Sequence, residues 1–333
     1  MIASSFIQKI LALCLCTASL AVGGLAQAQS QPFPNRPIKV ILGYAPGGST
    51  DAFGRYYVQK LSEVLNTPVV IDFKPGAGQI LAVKTVQAAP ADGYTLWLGA
   101  GSAFSQGPGI RNDLPYDPLK DMLLIGMAAP SPGVVVVSAN LPVNNIRELT
   151  AYSKANPGKL NYGSSGVGSA SHLQSAYLVT LTEMNIEHIP FKADAEIING
   201  MSTGSVHMGM ATVQAGLTAV ASGRAKAIAV TGSRRLASLP NVPSLSEGGQ
   251  KELDGVDPYT YYGLAAPVGT PPAVITRLSE ALQKVNANPE VIAHVREKLY
   301  AEPAKGDAES FRQFIVKDTA KWKAFAKHVK LGE

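Results

Sequence analysis

The sequence predicts an α/β protein of two lobes, each a mostly parallel sheet flanked by helices. Three observations support this prediction. The chain has 333 residues, and single hydrophobic cores stop growing at about 250–300 residues. Short β-branched strands, glycine-rich turns and amphipathic helices alternate along it, which is the pattern of parallel sheets with right-handed crossovers. The alternation restarts after the proline-rich stretch 130–132, where we expect the second lobe to begin.

The first lobe is built from buried strands and amphipathic helices. Ile38-Lys39-Val40-Ile41-Leu42 is short and β-branched, which indicates a buried strand. Apolar residues then recur at helical spacing after a glycine turn and the capping residues Ser49-Thr50-Asp51. The predicted elements are a strand at 38–42, a helix at 53–65, a strand at 69–71, a helix at 80–89 and a strand at 94–98.

The second stretch repeats the same architecture. We expect strands at 134–137, 160–162, 188–190, 208–212 and 227–231, and helices at 146–155, 171–181, 195–203 and 217–222. An extended run at 259–266 and three amphipathic helices at 274–285, 291–299 and 311–329 then close the chain.

This order predicts a split first lobe, 29–130 with 255–333, and an inserted second lobe, 131–254. Two crossings between lobes form a hinge, and the cleft between the lobes is the expected ligand site.

The amino terminus resembles a secretory signal peptide. Lys9 precedes the mostly apolar run 10–22, and Ala26-Gln27-Ala28 supplies the small residues of a cleavage site. We expect residues 1–28 to be removed, with an uncleaved anchor and a lipoprotein signal as less favoured alternatives. Both cysteines, Cys14 and Cys16, lie in this segment. The exported chain then has none, which excludes a disulfide scaffold, a metal–thiolate site and a cysteine nucleophile.

Charge and motifs argue against several function classes. The formal charge is +5 without a basic run, so we expect no nucleic-acid partner. The histidines show no metal-ligand spacing, and the chain has no phosphate-binding loop or nucleophile elbow. We therefore expect no metal, no cofactor and no catalysis. His172 lies near Ser169 and Ser171 in sequence, so a secreted Ser–His hydrolase stays open as an alternative.

Two glycine–hydroxyl loops carry the functional prediction. Gly47-Gly48-Ser49-Thr50 and the loop 163–169 each end at a predicted helix N-terminus, and neither contains a basic side chain. Helix N-termini carry partial positive charge and unpaired amides, so two of them facing a cleft would bind an anion, with a carboxylate the best fit. Ordinary turns and caps are the alternative for each loop. Asp51 in turn either contacts a ligand or caps its helix.

Several sequence blocks together resemble a known family. They are Tyr44-Ala45-Pro46-Gly47-Gly48-Ser49-Thr50-Asp51, Lys74-Pro75-Gly76-Ala77-Gly78, Ala91-Asp92-Gly93-Tyr94-Thr95-Leu96, Tyr162-Gly163-Ser164-Ser165-Gly166-Val167-Gly168-Ser169 with His172-Leu173, Leu239-Pro240-Asn241-Val242-Pro243 and Gly263-Leu264-Ala265-Ala266-Pro267. In this order they resemble the Bug family of periplasmic solute receptors, which serve tripartite tricarboxylate transporters. The resemblance covers nearly all of the chain after residue 28.

The resemblance implies a type II periplasmic-binding-protein fold that closes around a small carboxylate. It also implies two membrane permease subunits as partners; we expect the receptor itself to be a monomer. A sensor that presents its ligand to a histidine kinase is a further alternative. The predicted ligand-binding residues are Tyr44, Gly47, Gly48, Ser49, Thr50, Asp51, Ser102, Ser164, Ser165, Gly168, Ser169, His172 and Tyr261.

The chain departs from the family pattern at four positions. Gln79, Ala193, His207 and Tyr261 stand where glycine, glycine, an acidic residue and tryptophan are usual. Tyr44 and Tyr261 suggest an aromatic carboxylate such as terephthalate as one candidate ligand.

Overall fold

The computed structural model describes residues 32–191, 194–232, 234–253 and 260–327, with the backbone alone for 194 and 195. All helices and strands described below belong to one structural unit, Arg36–Glu333. The predicted signal segment, 1–28, lies outside the described residues.

Two five-stranded sheets form the framework. The first has the strand order β2-β1-β3-β10-β4, and the second has the order β7-β6-β8-β5-β9. The strands of the first sheet are β1 (Ile38–Leu42), β2 (Val69–Phe73), β3 (Thr95–Ala100), β4 (Met122–Ser131) and β10 (Thr260–Pro267). Those of the second are β5 (Gly133–Ser138), β6 (Leu160–Ser164), β7 (Ile186–Pro190), β8 (Met208–Thr212) and β9 (Ala225–Val230).

Most of the helices connect one strand to the next, and the last three follow β10. In chain order they are α1 (Ser49–Leu65), α2 (Ile80–Gln87), α3 (Gly107–Ile110), α4 (Ile146–Ala155), α5 (Ala170–Leu181), α6 (Asp194–Thr203), α7 (Val213–Ala221), α8 (Pro272–Ala287), α9 (Pro289–Glu297) and α10 (Ala308–Ala326). Within the described ranges, no helix is long and apolar enough to cross a membrane.

Each sheet is mostly parallel, as predicted, with one antiparallel strand. β1 pairs in parallel with β2 and β3, whereas β10 runs antiparallel to β3 and β4. In the second sheet β6 is parallel to β7 and β8, whereas β5 is antiparallel to β8 and β9. β5 follows β4 after one residue, so it is the strand by which the chain enters the second sheet. β10 is the strand by which the chain returns to the first. The residue limits predicted for the lobes stay a prediction.

Strand β4 has no counterpart among the elements predicted from the sequence. It contains Pro130 next to its last residue, and proline argues against a strand because it cannot donate to the hydrogen-bond ladder. The structure places β4 at the edge of the first sheet, where proline is tolerated. Pro130 and Ser131 of the proline-rich stretch are therefore the end of a strand.

Separate cores hold the two sheets, and a smaller cluster joins them. Trp97, Phe104 and Phe311 lie in the core of the first sheet. In the joining cluster Leu173 of α5 packs with Trp322 and Phe325 of α10. A helix that follows strand β6 of the second sheet is thereby held against the carboxyl-terminal helix, which packs on β4 of the first.

We expect Trp322→Ala to lower the free energy of unfolding by about 3–5 kcal/mol, because it removes a large side chain from a packed site. Trp322 is 1% exposed. Val316→Ala is the control, since Val316 lies on the same helix but is 51% exposed. Urea denaturation measures both variants. Equal midpoints for the two variants would show that the joining cluster contributes little to stability.

Candidate functional site

A cavity of about 90 Å³ lies between the two sheets. Its walls come from the first turns of α1 and α5, from the end of β8 and from β10. The lining residues are Tyr44, Ala45, Pro46, Gly48, Ser49, Thr50, Ala100, Pro132, Gly133, Ser165, Ala170, Ser171, Gln174, Met210, Ala211, Thr212, Thr260 and Tyr262. None of these described residues carries a charged side chain.

Three helix N-termini meet at this cavity. Ser49 and Thr50 begin α1, Ala170 and Ser171 begin α5, and Thr212 is the N-cap of α7. Each terminus contributes partial positive charge and first-turn N–H groups that the helix itself does not use. The sequence predicts only two of them, because the expected helix 217–222 starts four residues after the observed start of α7.

The N-terminus of α1 differs from the other two in its cap. Its N-cap residue is Gly48, which has no side chain to accept a hydrogen bond from the first turn. The hydroxyls of Ser169 and Thr212 instead accept from the backbone N–H groups of His172 and Ala215. The first turn of α1 is therefore the one in which no N-cap side chain competes with a ligand for the amides.

Asp51 folds back onto the loop before α1. Its Oδ2 accepts a hydrogen bond of 2.8 Å from the N–H of Gly47, and its Oδ1 lies 2.7 Å from Nε of Arg55. Gly47 has φ of +91°, a conformation that glycine adopts without strain. Asp51 is thus a residue that fixes the loop, and Arg55 offsets its negative charge near the helix terminus.

Tyr44 is held from behind by a buried hydrogen-bond chain. Its Oη lies 3.0 Å from Oγ of Ser102, and Nε2 of Gln79 donates to the same Oγ at 2.7 Å. Oε1 of Gln79 accepts from the N–H of Ala100 at 3.1 Å, which fixes the orientation of the amide. The chain therefore positions a ring that lines the cavity.

Gln79 stands where glycine is usual in the family that the sequence resembles, and its contacts explain this difference. Its φ is +78°, in the left-handed region where glycine is favoured. The side chain is fully buried and makes the hydrogen bonds to Ala100 and Ser102 just described. A glycine here would relieve the backbone but would leave those groups without this partner.

The loop before α5 is stabilised by its own hydroxyls. Ser165 lines the cavity, and its N–H and Oγ each lie 3.0 Å from Oγ of Ser171. Gly168 N–H donates to Nδ1 of His172 at 3.1 Å. Ser164 is fully buried, with Oγ 2.6 Å from Nε2 of His188. Ser165 and Ser171 thus face the cavity, while Ser164 and His172 support the loop from beneath.

Two histidines stack beneath this loop. The ring centroids of His172 and His188 are 4.1 Å apart, and those of His188 and Tyr162 are 4.9 Å apart. The pKa of each histidine is lowered to about 4, by burial for His188 and by burial together with the neighbouring His188 for His172. Both rings are therefore neutral near pH 7, which lets Nδ1 of His172 accept from Gly168.

Tyr261 is predicted to bind the ligand, but its side chain does not line the cavity. Its side chain is fully buried, with its ring against Phe104 and Phe314 and Oη 2.5 Å from Oγ of Ser105. The next residue, Tyr262, lines the cavity instead. Successive side chains of a strand point to opposite faces, so a shift of one residue moves the ring from the cavity to the core.

The other predicted residues divide into two groups. Tyr44, Gly48, Ser49, Thr50 and Ser165 line the cavity. The remainder hold the two loops in place through the contacts described above: Gly47, Asp51, Ser102, Ser164, Gly168, Ser169 and His172. Five polar residues line the cavity but are absent from the predicted set: Ser171, Gln174, Thr212, Thr260 and Tyr262. Nothing in a helical or strand pattern says which polar face turns to a cleft.

Among the described residues no group of histidine, cysteine, aspartate and glutamate side chains is arranged to hold a metal ion.

A family model and known proteins match the chain over most of its length. The model described as "Tripartite tricarboxylate transporter family receptor" matches residues 54–331. The "UPF0065 protein in gbd 5'region" of Cupriavidus necator is 34% identical over 325 residues, which cover 95% of each chain.

Solved structures match as well. Periplasmic binding protein BugD is 29% identical with a TM-score of 0.81, covering 90% of this chain and 100% of BugD. MatC of Rhodopseudomonas palustris, solved with bound malate, is 25% identical with a TM-score of 0.81, covering 88% of this chain and 100% of MatC.

Because the buried histidines are neutral in the folded protein, we expect the free energy of unfolding to fall at acid pH. The unfolded chain takes up a proton near pH 6.5, whereas folded His172 does so at a pKa of about 4. The stability from this residue is complete above pH 6.5 and is lost as the pH falls toward 4, by on the order of 2–3 kcal/mol.

His172→Asn provides the comparison, because an asparagine oxygen can accept from Gly168 N–H but does not titrate. Urea denaturation at pH 7, 5.5 and 4 should show a smaller acid loss for the variant than for the natural protein. Parallel pH profiles for the two proteins would contradict this assignment.

Proposed function

The chain belongs to the tripartite tricarboxylate transporter receptor family, whose members are periplasmic solute-binding receptors, and from this premise we propose that it captures a small di- or tricarboxylate between its lobes. It then delivers the ligand to the membrane permease subunits of such a transporter. Removal of residues 1–28 by a signal peptidase places the receptor in the periplasm.

The observation that carries this proposal is the meeting of three helix N-termini at a cavity without charged side chains. A carboxylate there accepts hydrogen bonds from backbone amides and from the hydroxyls of Ser49, Thr50 and Ser171. Hydrogen bonds to a charged group contribute about 1.5–3 kcal/mol each. A few of them supply much of the roughly 8 kcal/mol that a micromolar dissociation constant requires.

Delivery requires that the ligand favour one arrangement of the lobes. A ligand shifts a conformational equilibrium only by its difference in affinity for the two states. In this cavity Ser49 and Thr50 belong to the first lobe, and Ala170, Ser171 and Thr212 belong to the second. A carboxylate that bridges these residues therefore stabilises the closed receptor, which is the form that docks on the permease.

The aromatic candidate, terephthalate, keeps part of its support. Tyr261 lies in the core, but Tyr44 and Tyr262 both line the cavity. MatC, a structural relative, was solved with malate, so malate is the aliphatic candidate. Both are dicarboxylates, and both belong in a binding screen.

The Ser164–His188 pair is the observation that favours a hydrolase. Its Oγ–Nε2 distance of 2.6 Å suits proton transfer. Ser164 is fully buried, however, and within the described ranges His188 makes no hydrogen bond to a carboxylate. A nucleophile must reach its substrate and its base must be oriented. We therefore expect a fluorophosphonate probe to leave the protein unlabelled, and labelling at Ser164 would favour the enzyme.

A proline substitution tests whether the amides of α1 bind the anion. Ser49 is the first residue of α1, a position that accepts proline without loss of the helix. The preceding Gly48 already has the extended conformation that proline requires. Ser49→Pro removes one N–H, and we expect it to weaken carboxylate binding by about 10–100-fold, the equivalent of one charge-assisted hydrogen bond.

Two variants separate the amide from other effects. Ser49→Ala removes the hydroxyl but keeps the N–H, so it should weaken binding less than Ser49→Pro. Ala308→Pro places proline at the same position of α10, remote from the cavity lining, and should leave binding unchanged. Calorimetric titration with malate, succinate, citrate and terephthalate measures each. If none of these acids binds the natural protein, the proposed function is wrong.

A further inference from the structure

Gln174 is a buried polar residue that the loops and caps described above do not use. It lies on α5 on the same face as Ala170 and Ser171, four and three residues earlier, and lines the cavity with them. Its side chain is 3% exposed, and Nε2 has no hydrogen-bond partner among the residues that the structure describes. Buried amide nitrogens in folded proteins are almost always paired. Since the described residues supply no acceptor for Nε2 of Gln174, we expect a ligand to supply it.

A second group of the same kind borders the cavity from the other lobe. Oγ1 of Thr260, the first residue of β10, is buried and has no partner within the described ranges. Among the described residues of the cavity lining, Gln174 and Thr260 carry such groups. Gln174 lies on a helix packed against the second sheet, whereas Thr260 lies in a strand of the first, so an acceptor between them would contact both lobes.

The chemistry of the amide limits what it recognises. Nε2 donates but does not accept. Neither a methyl nor an ammonium group of a ligand can pair with it, whereas a carboxylate, carbonyl or hydroxyl oxygen can. Since the first turn of α1 already provides amides for one carboxylate, an acceptor at Gln174 belongs to a second polar group of the same ligand.

We propose that Gln174 donates a hydrogen bond from Nε2 to the second carboxylate of the ligand and is the residue by which the receptor distinguishes dicarboxylates from monocarboxylates. This assignment rests on the proposed function, since it requires that a carboxylate occupy the cavity. It adds to that function the residue that binds the second carboxylate of the ligand. A site built to pair a polar group rejects a ligand without that group, because its own buried group is then left unpaired.

The assignment has a consequence for the empty receptor. An unpaired buried amide destabilises the folded chain, and an apolar residue of the same shape does not. Gln174→Leu is therefore expected to melt at the same temperature as the natural protein or higher, while binding its ligand more weakly. A residue with a purely structural role would show the opposite change in melting temperature.

Matched pairs of acids test the assignment by calorimetric titration. Each pair replaces one carboxylate with a methyl group: succinate and butanoate, malate and 3-hydroxybutanoate, terephthalate and 4-methylbenzoate. We expect the natural protein to prefer at least one diacid over its partner by about tenfold or more, and Gln174→Leu to lose most of that preference. Affinity for the monoacids should change by less than about threefold.

Two further variants complete the design. Gln174→Glu keeps the size of the side chain but replaces the donor with a carboxylate, so it should also lose the diacid preference. Gln283→Leu is the matched control, because Gln283 is an exposed glutamine on α8, and it should bind as the natural protein does.

The possible outcomes distinguish failure of the role assigned to Gln174 from failure of the proposed function. An unchanged diacid preference in Gln174→Leu, or equal affinity of the natural protein for both members of every pair, would overturn the role of Gln174 while leaving a carboxylate receptor. Absence of binding by all six acids and by citrate would overturn the proposed function, and the role of Gln174 with it.

Discussion

The structure of the site depends on one local feature, the uncapped N-terminus of α1. Gly48 occupies the N-cap position and brings no side chain, so the helix does not satisfy its own first-turn amides in the usual way. Asp51, which could have done so, is turned away toward Gly47 and Arg55. The amides are thus directed to a cavity in which the described walls carry no charged side chain. Positive potential there comes from the backbone, which a count of lysines and arginines does not register.

The surroundings of this terminus keep other groups from competing with a ligand. Arg55 offsets the charge of Asp51 through a contact of 2.7 Å. The pKa of His172 and of His188 is lowered to about 4 by burial, so neither ring adds a charge beside the second loop at neutral pH. Gln79 accepts a left-handed backbone in order to hold Ser102 behind Tyr44. Two groups that depart from local preference lie at or directly behind the cavity, as expected where function competes with stability. They are Gln79, with its left-handed backbone, and Gln174, whose Nε2 has no hydrogen-bond partner among the described residues.

Much of the fold follows from periodicity in the sequence. Ile38–Leu42 and Val134–Val137 are mostly β-branched and, apart from the exposed Lys39, buried, and the structure places both in strands. The glycine–hydroxyl loops end at helix N-termini, as their residue types predict. The fold was harder to predict where tertiary position overrides local pattern. Pro130 lies in a strand because that strand is at a sheet edge, and α7 begins earlier than its apolar spacing indicates.

Prediction of the site was limited by orientation rather than by residue type. Tyr261 and Tyr262 are neighbours with the same side chain, and only the pairing of β10 decides that the second one lines the cavity. Gln174 has an ordinary place in the helical pattern, and only the packing reveals that its Nε2 has no partner within the described part of the chain. Motif resemblance identified the loops, but Gln174 and Tyr262, which line the cavity, lie outside the motifs.

A crystal structure of the receptor with bound succinate, malate or terephthalate tests most directly whether backbone amides of both lobes bind the carboxylate. We expect carboxylate oxygens about 2.7–2.9 Å from backbone nitrogens in the first turns of helices from both lobes, without a lysine or arginine side chain in contact. A carboxylate held instead by a basic side chain such as Arg111, or bound outside the cavity lined by Ser49 and Ser171, would contradict it.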